Sequence, residues 1–165
     1  STSMNILSIQ RINSKAPYEV KISKNENFYI FTTDKGIRYA ISFSEEYEIG
    51  GCMSYQFSID NIEKNHGSYD KKIKDTIIAI IEDFFIENQD VLLYICDTSD
   101  NREAARNRLF LRWFAQYSPE RFTICTANSK VEDTEFYMAI IVANNNPQKD
   151  SITLDFETTA KALKK

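Results

Sequence analysis

The amino-acid sequence predicts an α+β protein: a mixed, mostly antiparallel sheet with helices packed on it, in the order β-meander, helix, strand, helix, β-hairpin. Three observations carry that expectation. The first third of the chain alternates apolar and polar residues at the period of strands. From Asp70 the apolar period lengthens to that of a helix. The run "VLLYIC" (91–96) is then apolar almost throughout, as in a strand covered on both faces.

The meander consists of "YEVKIS", "FYIFTT" and "IRYAISFS", with Asp34-Lys35-Gly36 turning the chain between the second and third strands. "EEYEIGG" interrupts the pattern before a fourth strand, "MSYQFSI". Ile73, Ile77, Ile80, Ile81 and Phe84 then fall on one face of a helix, with Asp75, Glu82 and Asp83 elsewhere on the wheel. A helix that links a meander strand to the buried strand 91–96 is a crossover, which favours a parallel pair there.

The second helix follows in "DTSDNREAARNRLFLRWFAQY". Asp100 and Glu103 have capping-box spacing, with Ser99 competing for the cap, and the helix ends near Pro119. Ala104 and Ala105 allow close packing on a sheet, and Leu109, Phe110, Trp113, Phe114 and Tyr117 supply the apolar face. "RFTICTA" and "EFYMAIIVA" form a hairpin around "NSKVEDT". The tail after "NNNPQKD" is expected to hold a short strand, "SITLDF", and a frayed helix through Lys165. Residues 1–165 are expected to form a single domain with its core at about 18–143 and a peripheral tail at 144–165.

Composition excludes several function classes. At 165 residues, with 42% apolar and 27% charged residues, the chain can bury a core without covalent staples. Four glycines leave little room for a Gly-rich phosphate loop, and a net charge of -4 argues against a general nucleic-acid binder. Cys52, Cys96 and Cys125, with the single His66, fit neither a zinc ribbon nor a disulfide framework, and no metal site is expected. Cys96 and Cys125 lie in apolar strand runs and read as buried thiols. No apolar run approaches the roughly 18 residues of a membrane span, so the expectation is a soluble protein of a reducing cytoplasm.

Two stretches carry candidate binding chemistry. Arg102 and Arg106 are one helical turn apart, as are Arg108 and Arg112, so each pair shares a face. Such faces are either solvated, with Asp97, Asp100, Glu103 and Glu120 as partners, or they bind a phosphate, a carboxylate or a protein partner. In "EKNHGSYDKKIKD", Lys71 and Lys72 stand at a helix N-terminus, where the macrodipole disfavours cations but free backbone N–H groups favour a bound anion. Lys64, Lys74 and His66 lie close by in sequence.

Residues 37–143 resemble the GCN5-related N-acetyltransferase fold. "NREA" at Asn101–Ala104 matches the start of that family's later helix, "EFYMAIIV" its final strand, and the loop near Gly67 the position of its pyrophosphate loop. The resemblance implies an acyl-CoA cofactor held by His66, Gly67, Ser68, Lys71 and Lys72, with a general base from Glu45, Glu46 or Glu48 or acting through water. The family's loop pattern, Q/R-x-x-G-x-G/A, meets Lys64, Gly67 and Tyr69 here, and its proton-donating helix Tyr falls on Arg108, which stays charged. The stretch "CDTSDNREAARNRLFLRWF" also resembles a small bacterial domain family of no assigned function. With no proton donor and no small residue at Tyr69, the expected function is a non-catalytic binding or interaction module. It would act without a cofactor, through a protein partner or a second copy of the chain. The alternative is an acyl-CoA-dependent N-acyltransferase with a divergent pyrophosphate loop.

Overall fold

The computed structural model describes residues 4–24, 28–64, 69–97 and 102–162, apart from the Glu103 side chain. In chain order the elements are α1 (Ile9–Lys15), β1 (Lys21–Ile22), β2 (Tyr29–Thr32), β3 (Arg38–Ile49), β4 (Cys52–Asn61), α2 (Lys71–Glu87), β5 (Val91–Asp97), α3 (Arg102–Tyr117), β6 (Phe122–Val131), β7 (Thr134–Ala143) and α4 (Lys149–Ala162). The strands form one seven-stranded sheet in the order β1-β2-β3-β4-β5-β7-β6. Pairing is antiparallel for β1–β2, β2–β3, β5–β7 and β7–β6, and parallel for β4–β5, where Ser54 meets Val91. The α+β class and the parallel crossover pair are therefore as the sequence predicts. The chain divides into two compact units, Ser1–Phe43 with Phe57–Asn88, and Ser44–Gln56 with Gln89–Lys165.

In the first unit, the Asp70 carboxylate caps α2 by accepting the Ile73 N–H at 2.9 Å. Aromatic rings build much of its interior: Tyr18, Phe31, Tyr39 and Tyr69 follow one another at centroid distances of 5.9, 5.5 and 5.7 Å. Phe84 stacks on Phe43 at 5.4 Å. Glu82 and Asp83 are buried, in contrast to the polar face the sequence assigns them. Asp83 is inside because it fastens α1, an element the strand-rich reading of the N-terminal third leaves out. Its carboxylate accepts the Ser8 N–H at 2.7 Å and the Arg11 Nε–H at 2.5 Å, and Arg11 also donates to Glu87. Ser8 in turn caps α1 by accepting the Arg11 N–H.

In the second unit, three strands carry a helix on each face. On one face Leu93, Met138 and Ile140 pack with Ile152, Phe156 and Ala160 of α4. On the other, Phe110, Leu111 and Phe114 of α3 are buried, and Phe114 meets Phe122 of β6 with ring centroids 5.5 Å apart.

Residues 149–162, expected as a peripheral strand and frayed helix, are one helix with core residues. "SITLDF" alternates like a strand, but only Ile152 and Phe156 face inward, one turn apart, while Leu154 is exposed. The expected interruption at "EEYEIGG" is likewise replaced by strand: β3 runs to Ile49 and turns at Gly50-Gly51. Its residues Ser44–Glu48 are exposed, so hydropathy carries no signal there. The segment is strand because it pairs with β4, and the Ser54 hydroxyl adds a bond by donating to Tyr47 O at 2.6 Å. Cys96 and Cys125 are half-buried rather than enclosed. Among the described residues no helix is long and apolar enough to cross a membrane.

Candidate functional site

Strand register places the candidate site. Cys96 on β5 lies opposite Tyr137 on β7, and Tyr137 opposite Asn128 on β6. The next row on the same face is Tyr94, Ala139 and Thr126. This is the face α3 packs on, yet Thr126 and Asn128 are exposed, so the helix leaves the β6 side of the face open. Tyr94 and Tyr137 meet edge to face at 6.4 Å.

The flank of α3 that turns toward these rows carries Arg108 and Arg112. Arg108 Nη1 donates to Cys96 Sγ at 3.7 Å. Burial holds the Tyr94 hydroxyl in its protonated form, far above the usual phenol range, opposed by a hydrogen bond with Asn107, reinforced by Cys96 and opposed again by the Arg108 charge. Burial also raises the pKa of Tyr137, against the opposing charges of Arg112 and Arg108. Both phenols therefore keep their protons at neutral pH and can donate hydrogen bonds. No carboxylate of the described residues lies within ion-pair distance of either Arg108 or Arg112. The result is a partly open strip of the sheet face (the groove) where Arg108 and Arg112 flank Cys96 and Tyr137, with Tyr94 buried in the adjacent row.

Of the arginines singled out in the sequence, the structure brings Arg108 and Arg112 together in this groove. Arg102, exposed, and Arg106, half-buried, lie on a different side of α3 with the exposed Leu109. Tyr94, Cys96, Asn107 and Tyr137 join the site without having been picked out from sequence. For Tyr94, Cys96 and Tyr137 the only sequence signal is polarity inside otherwise apolar runs, and the strand register that aligns them is not written locally; Asn107 lies on α3 between two arginines.

The lysine loop is arranged differently. His66, Gly67 and Ser68 lie outside the described residues, as do Ser99, Asp100 and Asn101 of the expected cap. Lys71 pairs with Asp75 at 2.7 Å, and Lys72 with Asp34 at 2.9 Å while sitting 4.8 Å above the Tyr18 ring. Tyr69 is buried against Tyr39.

The protonated groups of this unit set a pH dependence. Burial raises the pKa of Cys52, Cys125, Tyr94 and Tyr137 above their unfolded values. A group with a raised folded pKa holds its proton in the native state after the unfolded chain has released it, so stability falls as pH rises. The window opens near the unfolded thiol and phenol values, at about 8.5 to 10. Urea midpoints measured at pH 7, 9 and 10.5 are expected to be lower at each step, and an unchanged midpoint at pH 10.5 would contradict these burials.

A family model described as a family of unknown function (DUF6169) matches residues 69–158, which include α2, β5, α3, the β6–β7 hairpin and most of α4. No curated protein and no solved structure matches the chain.

Proposed function

Since the chain belongs to DUF6169, a family that brings no activity with it, we propose from the geometry that it is a non-catalytic binding module whose groove holds an anionic group, carboxylate or phosphate, of a partner. The observation that carries this reading is the placement of Arg108 and Arg112, one turn apart and without a carboxylate of the described residues at ion-pair distance. Two guanidinium groups beside partly dehydrated phenols hold an oxyanion through charge-assisted, planar hydrogen bonds, which a lysine pair does not reproduce. The half-buried Tyr137 adds a neutral donor beside them. Neither phenol acts as a base at neutral pH, because burial keeps both protonated.

The acyl-CoA-dependent N-acyltransferase is the weaker reading. It requires a pyrophosphate at the N-terminus of α2. There the Asp70 carboxylate already accepts the Ile73 N–H, and Lys71 and Lys72 are paired with Asp75 and Asp34. Millimolar CoA is expected to leave the thermal midpoint unchanged; a bound ligand at a hundred times its Kd would add about 2.7 kcal/mol.

Calorimetric titration with phenyl phosphate and with glutarate tests the binding reading. Saturable binding of at least one is expected, weakened about tenfold or more by Arg112→Glu, equivalent to about 1.4 kcal/mol or more. Binding that Arg112→Glu leaves unchanged, or none to either probe, contradicts it.

A further inference from the structure

We infer that the outer edge of β6 is a docking site for an extended acidic segment of the partner, added antiparallel to the sheet beside the groove. This rests on the anion-binding reading of Arg108 and Arg112 and names the kind of chain that would deliver the anion. β6 ends the strand order, and among the described residues no strand pairs with its outer side. The opposite end of the sheet is closed by a strand of only two residues, β1, whereas β6 is ten residues long and carries no proline. Its only charged residue is Lys130. Exposed edges are ordinarily shortened, bulged, charged or covered, and β6 has one lysine as its guard.

The free backbone groups can be assigned. Arg121 O accepts the Asn144 N–H at 2.8 Å, so the 121–144 pair bonds toward β7. In an antiparallel ladder such pairs alternate with pairs whose N–H and C=O point away. Residues 123, 125, 127 and 129 therefore face β7, and Ile124, Thr126, Asn128 and Lys130 face outward. Phe122 shares the outward parity, but its N–H is bonded to Ser118 O.

Side-chain direction alternates with the same period, which couples the two halves of the inference. Thr126 and Asn128 project onto the face that carries Tyr137 and the arginine wall. In an antiparallel docked strand, the residues that hydrogen-bond with Thr126 and Asn128 project onto that same face. Acidic residues at those positions would lie beside Arg108 and Arg112. This is strand addition with specificity read from alternate side chains.

Three of the four probes are capped synthetic decapeptides of alternating Glu and Thr, of alternating Lys and Thr, and of alternating Glu and Thr N-methylated at every Glu. A fourth is N-methylated at every Thr. The Glu-Thr peptide is expected to bind, and the Lys-Thr peptide is not. Methylation at Glu should abolish binding, because those amides face β6, while methylation at Thr should be tolerated. Amide exchange at Ile124, Thr126, Asn128 and Lys130 should slow about tenfold or more in the complex, which corresponds to about 1.4 kcal/mol, and Arg112→Glu should weaken the complex. Peptide binding with no added protection at those amides overturns strand addition and leaves the groove reading standing. Absence of peptide binding while phenyl phosphate or glutarate still binds overturns this inference alone. Failure of peptide, phenyl phosphate and glutarate together overturns both.

Discussion

Gly50→Ala is expected to destabilise the protein by about 2–5 kcal/mol, combining about 1–2 kcal/mol for a left-handed backbone with about 1–3 kcal/mol for overpacking. Gly50 has φ +57°, and a Cβ there would lie 2.4 Å from Ile152 N and 2.5 Å from Ile152 Cα. Both are backbone atoms of α4, so no side-chain rotation relieves the clash. The close approach is further fixed by hydrogen bonds: the Gly50 N–H donates to Asp155 Oδ2 at 2.7 Å, and Ser151 Oγ donates to Gly50 O at 2.8 Å. Gly36 is the control. It also has a positive φ, +78°, but nothing lies within 4 Å of a Cβ there. Gly36→Ala should therefore cost only the backbone component, about 1–2 kcal/mol. Equal urea midpoints for the two variants would contradict the packing of α4 on the β3–β4 turn.

Asp83→Ala should cost on the order of 3 kcal/mol. The change removes the acceptor of the Ser8 N–H and of the Arg11 guanidinium, and hydrogen bonds that involve a charged group contribute about 1.5–3 kcal/mol each. Its effect should be concentrated at the N-terminus, because both bonds tie α1 to α2. Faster amide exchange is expected in residues 9–15, with β5 and β7 unchanged. Asp75→Ala is the comparison: its pair with Lys71 is an i,i+4 contact at the surface, and about 0.5 kcal/mol or less should be lost. A loss at Asp83 no larger than at Asp75 would remove Asp83 from its place as the anchor of α1.

Much of the fold was legible because most segments bury a face at a regular period. The isoleucines of α2 declare themselves this way, β5 shows itself by an apolar run buried on both faces, and the crossover makes the parallel β4–β5 relation predictable. Three features were not legible, for separate reasons. Ser44–Glu48 of β3 bury no face, so their strand character comes from pairing with β4, which leaves no hydropathy signal. In α4, Ile152, Leu154 and Phe156 satisfy a strand pattern and a helix pattern at once, and the close approach of Gly50 to the backbone of α4 has no local signature. Asp83 looks like a surface acid until Arg11 and Ser8, some seventy positions earlier, are brought beside it.

The geometry of the candidate site was legible only within single elements. Helical spacing puts Arg108 and Arg112 on one face of α3 and Arg102 and Arg106 on another, as in the structure. What spacing could not supply was the register that sets Cys96 against Tyr137 and Tyr137 against Asn128, because it depends on contacts between distant strands. Lys71 and Lys72 had the stronger sequence argument for anion binding, from the helix N-terminus, but their charges are met by Asp75 and Asp34.

The most direct test of the groove is a site-resolved one: the Nε–Hε resonances of Arg108 and Arg112, followed by NMR as phenyl phosphate or glutarate is added. The predicted result is saturable movement of these two signals together with the Tyr137 ring, while Arg11 and Arg38, engaged with Asp83 and Glu63, stay in place. Equal, non-saturating drift of all the arginine signals would mean that the groove holds no anion and that the binding reading is wrong.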